Sequence, residues 1–134
     1  DSWEAFIDNA KHRTYKDAIA WAIELENAGV GEIIITSIDN DGRQKGFDID
    51  LVRAVTGVVN LPVIASGGAG SSKDIIKLCK STNCDAVAIA SLIHYDIESI
   101  SEIKKNMRTC GGISVINWKG VFIMIYININ IINY

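Results

Sequence analysis

The stretch PVIASGGAGSSKD, Pro62 to Asp74, carries an apolar run straight into Ser-Gly-Gly-Ala-Gly and then into a helix start. Gly67, Gly68 and Gly70 let backbone N–H groups approach an anion with no Cβ in the way, and the helix behind them adds its positive end. Phosphate binding is the chemistry this favours. A plain tight turn uses glycines in the same way, so the loop alone leaves both readings open. Two further polar groups follow apolar runs: Thr36, Ser37, Asp39, Asp41 and Gly42 after EIIITS, and Ser91 with His94 after AVAIA. Asp39 and Asp41 are the candidate catalytic residues, spaced to accept hydrogen bonds from hydroxyls or to move protons. An Asx-rich turn accounts for the same pair. His94 is a general acid or a structural donor, and its position does not decide which. Cys79, Cys84 and Cys110 lack paired metal-site spacing and read as reduced thiols packed as small hydrophobes. No metal and no cofactor is expected.

These residues need elements to position them. Thr14 with Asp17 resembles a helix cap, and Ala18, Trp21, Ala22 and Leu25 then follow helical spacing up to Gly29. Glu32 to Ser37 is a β-branched run too short for a helix, which suits a strand buried on both faces. The pattern repeats with a helix near Asp48 to Val59, a strand from Pro62 to Ala65, a helix near Ser72 to Lys80 and a strand from Ala86 to Ala90. A last helix is opened by the Ser99 to Glu102 capping box. The fold class is α/β, with about three βα units that form an open parallel sheet or part of a (β/α)8 barrel. In either case ligands bind at the C-terminal ends of the strands. In a barrel the Gly67 loop and the Ala90-Ser91 loop would share one phosphate. Glu32 opens a strand at the opposite mouth, where spacing alone reads it as a surface or stability feature.

The chain has 134 residues, 49% of them hydrophobic, and a net charge of -3 without a basic block. That length suits one domain, and that charge gives no case for a nucleic-acid polymer or an anionic membrane as partner. A small-molecule role is the remaining class, in the cytoplasm or an organelle matrix, since no secretory leader pattern is present. Trp3 to Ile7 reads as a short extended run at the very start of the chain. The segment 111–134 departs from the rest, rich in Ile and Asn, and reads as an atypical tail with an exposed or aggregation-prone strand from Val121 on. It is too short in apolar length to span a membrane.

Three segments, GVGEIIITSIDNDGRQKGFDIDLVRAV, LPVIASGGAGSSKD and DAVAIASLIHYDIESISEIKK, closely resemble the C-terminal half of the cyclase subunit of imidazole glycerol phosphate synthase. The likeness runs from about Trp3 to Met107. The isomerase of the same pathway fits less well: it continues to Gly-Pro-Asn where this chain has Gly46, Phe47 and Asp48, and it has Gly-Lys in place of Ala90-Ser91. The resemblance implies a (β/α)8 TIM barrel that takes ammonia from a glutaminase subunit or domain. Its substrate is a ribulosyl formimino carboxamide nucleotide, and the products are imidazole glycerol phosphate and aminoimidazole carboxamide ribotide. It assigns Asp41, Gly42, Gly68, Ala90 and Ser91 to a substrate phosphate, with Thr36 and Ser66 lining the site and Ser37 and Gly67 beside them. It also makes Glu32 part of the ammonia gate. The family's catalytic aspartates lie on its first and fifth strands, and this chain is expected to begin just after the fifth, so neither is present. The expectation is a partial barrel over 1–110 that holds a phosphate pocket without the chemistry. The alternatives are a phosphate-binding partial barrel with no catalytic role, or a paralogue serving another amidotransferase substrate.

Overall fold

The structure, a computed structural model, describes residues 2–8, 10–109, 120–122 and 130–133, the last two stretches as backbone only. It opens with a hairpin in which β1 (Trp3–Ile7) pairs antiparallel with β2 (His12–Asp17). Thr14, expected to cap the first helix, lies inside β2, where its hydroxyl donates to the Ala5 carbonyl at 2.5 Å. The pairing keeps the backbone extended through Asp17, so the cap falls there: Asp17 Oδ1 accepts the Ala20 amide at 2.8 Å and α1 runs Ala18–Asn27. The β1–β2 register slips between Glu4 and Phe6. Glu4 mends the break by accepting the Tyr15 amide at 2.9 Å and gripping Arg13 at 2.7 and 3.2 Å.

The βα series follows as β3 (Ile33–Ser37), α2 (Ile49–Thr56), β4 (Val63–Ser66), α3 (Ser72–Ser81) and β5 (Ala86–Ala88). Strands β3, β4 and β5 lie side by side in parallel register, with Thr36 opposite Ser66 and Ser66 opposite Ala88. A four-residue helix, α4 (Ser91–His94), occupies what the sequence reads as a loop. Helix α5 (Ile100–Thr109) opens on the expected capping box: Ser99 Oγ donates to Glu102 Oε2 at 2.6 Å, and the Ser99 amide donates to it at 2.8 Å. Those bonds hold the Glu102 carboxyl below its usual range.

Strand periodicity sorts the apolar residues onto two faces. Ile33, Ile35, Val63, Ala65 and Val87 meet the helices: Ala18 and Ala22 of α1, Leu51 and Val55 of α2, Ile75 and Leu78 of α3, and Ile103 and Met107 of α5. Ile34, Ile64, Ala86 and Ala88 form a separate cluster on the other face. All the long helices thus share one side of the parallel sheet. A doubly wound sheet would place helices on both faces, so the arrangement is that of a partial (β/α)8 barrel seen from its helical outside. Each fully buried large aliphatic here contributes about 1.5–3 kcal/mol by leaving water.

The described parts of the tail are strands. β6 (Gly120–Phe122) lies parallel to β5, while β7 (Asn130–Asn133) pairs with β1 on one side and β3 on the other. The sheet order is β2-β1-β7-β3-β4-β5-β6. The exposed strand expected in the tail is, at β7, an inner strand whose backbone is paired at both edges. The rest of 111–134, and Cys110, lie outside the described residues. No described helix is long and apolar enough to cross a membrane.

Candidate functional site

The C-terminal ends of β3, β4 and β5 carry the polar loops, as parallel topology requires. After β3 the chain folds back on itself: the Asn40 and Asp41 amides donate to Ser37 O at 3.3 and 2.9 Å, and the Arg43 amide to Asn40 O at 3.1 Å. The glycine loop after β4 is pressed against this turn. Gly46 N donates to Gly68 O at 2.8 Å. A Cβ on Gly68 would fall 2.2 Å from Gly46 O, and one on Gly67 would fall 2.8 Å from Ser37 O. Gly67 and Gly68 also have positive φ, 87° and 102°. The sequence left open a tight turn or an anion cradle; the close approach of two loops is a third demand, and it applies whether or not a ligand binds.

Between the glycine loop and the loop after β5 lies a cleft lined by Asp41, Ser66, Gly67, Gly68, Ala69, Ala88, Ile89, Ala90 and Ser91. It leaves about 40 Å³ for water centres, a few water positions at roughly 10–15 Å³ each. That is the scale of a small anion. Among the described lining residues Asp41 carries the only charged side chain. Attraction for an anion would therefore come from backbone N–H dipoles and the Ser66 and Ser91 hydroxyls rather than from a cation. Helix α4 begins at this wall, with Ala90 O accepting the His94 amide at 2.9 Å.

The structure thus gathers Asp41, Ser66, Gly67, Gly68, Ala90 and Ser91 into one cleft. Thr36 lies one strand away, in register with Ser66. Ser37 is 3% exposed, and its carbonyl anchors the turn. Ser37, Asp39 and Gly42 are outside the cleft lining. His94 is exposed and packs edge-on against Tyr95, with ring centres 4.9 Å apart. Glu32, exposed, precedes β3 at the other end of the sheet, next to the bond from Ile33 N to Pro62 O. Among the described residues no three His, Cys, Asp or Glu side chains converge as a metal site would need.

The start of α3 differs from the sequence reading, which had its positive end free to face an anion. Gly70 N donates to Asp74 Oδ2 at 3.0 Å, Ser71 Oγ to the same oxygen at 3.1 Å, and Ser72 N to Glu98 Oε1 at 3.0 Å. Two carboxylates already occupy that helix end. Asp74 was legible, since Ser71 to Asp74 has capping-box spacing. Glu98 left no sequence signal, because it reaches α3 from 26 residues further along the chain.

A family profile described as "Histidine biosynthesis protein" matches residues 1–99. The chain is 44% identical over 111 residues to imidazole glycerol phosphate synthase subunit HisF of Dehalococcoides mccartyi, covering 83% of this chain and 44% of that protein. It is 42% identical over 108 residues to the subunit of the same name from Trichormus variabilis, with 81% and 42% covered. Against that of Methanococcus vannielii it is 44% identical over 106 residues, with 79% and 39% covered. The chain therefore spans less than half the length of these relatives.

Proposed function

The chain belongs to the histidine biosynthesis protein family, and from that premise we propose that it is the phosphate-binding, C-terminal part of the cyclase of imidazole glycerol phosphate synthase. In this reading residues 1–110 supply the sixth to eighth βα units of the barrel, in a cytoplasmic enzyme that takes ammonia from a glutaminase partner. The substrate is a phosphorylated, nucleotide-like ribulosyl formimino compound. The single observation that carries the reading is the cleft at the ends of β4 and β5, where Gly67 to Ala69 and Ala90 and Ser91 border one anion-sized space.

Within that site the residues take different parts. The Asp41 amide is spent on Ser37 O, so Asp41 would act through its carboxylate. A carboxylate repels a phosphate, so its partner is a hydroxyl of the substrate next to the phosphate, which it would orient by accepting a hydrogen bond. Thr36 and Ser66, paired in register, would line the path of the rest of the substrate. Glu32 belongs to the opposite end, exposed just before β3. That end would meet the glutaminase, with Glu32 at the ammonia entrance. Cyclisation itself needs the general acid and base that the family carries on its first and fifth strands. Asp39 and Asp41 follow β3, in this reading the sixth strand of the barrel and not the first or fifth, so the 134 residues by themselves are not expected to turn over substrate.

Titration of inorganic phosphate into the full chain, followed by amide NMR shifts, tests the site. Shifts should concentrate at Gly67 to Ala69 and at Ser91, and Gly68→Ala should abolish them by pushing a Cβ into Gly46 O. Shifts scattered over the surface, or a Gly68→Ala chain that still binds, would overturn the assignment.

A further inference from the structure

The two walls of the cleft come from separate βα units, and two side chains of the second unit, Glu98 and Asn106, reach the start of α3 in the first. Glu98 lies in the loop between α4 and α5. The backbone of that loop is fastened to α4, with Ile97 N and Glu98 N both donating to Leu92 O at 2.9 and 3.4 Å. Leu92 is fully buried and directly follows Ser91 of the cleft. The Glu98 carboxylate crosses to α3, where Oε1 accepts the Ser72 amide at 3.0 Å, just past the glycine loop. Oε2 is shut away from solvent with no hydrogen-bond partner among the described residues. A carboxylate so placed is held by the positive end of the helix rather than by water. From α5, Asn106 Nδ2 adds a second tether to Ser72 Oγ at 3.0 Å.

We propose that Glu98, seconded by Asn106, is a positioning residue that sets the Gly67–Gly70 loop against the Ala90–Ser91 loop and so fixes the width of the phosphate cleft. This rests on the phosphate reading above. Glu98 does not line the cleft; it acts through the first amide of α3. Without it the buried Ser72 N–H would lose its partner, and the helix start would draw back toward water. The glycine loop would move with it. What matters is then the reach of the acceptor, not its charge: Gln has the same reach and an oxygen acceptor, while Asp keeps the charge but is one methylene short.

The test is phosphate binding by the full chain carrying Glu98→Gln or Glu98→Asp, with amide hydrogen exchange measured on the same samples. Glu98→Gln should bind inorganic phosphate like the parent, and Glu98→Asp about tenfold more weakly, the scale of one lost hydrogen bond to a charged group. Exchange at Ser72 and Gly67 to Ala69 should quicken in Glu98→Asp alone, while the β3–β4 ladder keeps its protection. Equal affinities in the two variants, or loss in Gln with retention in Asp, would overturn the proposal. If the parent binds no phosphate, the functional reading fails, and the exchange pattern alone decides the role of Glu98. Should Glu98→Asp not fold, Asn106→Ala takes its place: faster Ser72 exchange supports the tether, and unchanged exchange overturns it.

Discussion

Cys79 and Cys84 show how far single side chains depart from their ordinary chemistry here. The hydrogen bond with Cys79 lowers the Cys84 thiol from 9.0 to about 7, while the same bond, with burial, pushes Cys79 far up. Between pH 7 and 9 folded Cys84 is then ionised while the unfolded thiol keeps its proton, so the unfolded chain binds more protons and stability rises with pH. Cys79 stays protonated in both states over that window. Cys79→Ala should move the Cys84 titration, followed by thiolate ultraviolet absorbance, back toward 9.0 and flatten the rise in melting temperature. A titration still centred near 7 in that variant would contradict the pairing. Neither effect was legible in the sequence, where both cysteines read as packed hydrophobes, because nothing in the spacing reports a thiol–thiol bond across a helix end. Gly67 and Gly68 were legible as special positions. The demand that Gly46 O places on Gly68 was not, since it comes from a loop more than 20 residues earlier.

At the scale of elements, legibility followed burial. Strands β3, β4 and β5 and helices α2, α3 and α5 stood out because their apolar residues repeat at a strand or helix period against a common core. The β2 strand, HRTYKD, is almost wholly exposed, so it has no apolar face to betray it; it is held by β1 at the sheet edge, where charged side chains discourage further pairing. Helix α4 is one turn long and too short to show a period. The shift of the α1 cap from Thr14 to Asp17 has a direct check. Asp17→Ala should cost about 0.5–2 kcal/mol in urea unfolding, and Asp17→Asn, which keeps an accepting oxygen, should cost little. An Asp17→Ala chain as stable as the parent would mean that the helix start is held some other way.

At the scale of the whole molecule, the helices packed on one face of the parallel sheet and the loops gathered at its C-terminal edge make the likeness to a barrel segment a structural fact as well as a sequence one. The order of the βα units could be read from the sequence. The sidedness could not, because Ile33 and Ile34 are the same residue type and only packing tells which faces the helices. A barrel closes with eight strands, and three parallel βα units are described here; in the proposed reading they are the phosphate end of such a site, with the acid–base groups outside them. The most direct measurement is therefore ammonia-dependent formation of imidazole glycerol phosphate by this chain mixed with a separately produced N-terminal portion of a HisF relative. Product from the mixture, and none from either part, is the result expected. Product from the 134 residues alone, or a correctly assembled mixture that stays silent, would contradict the account.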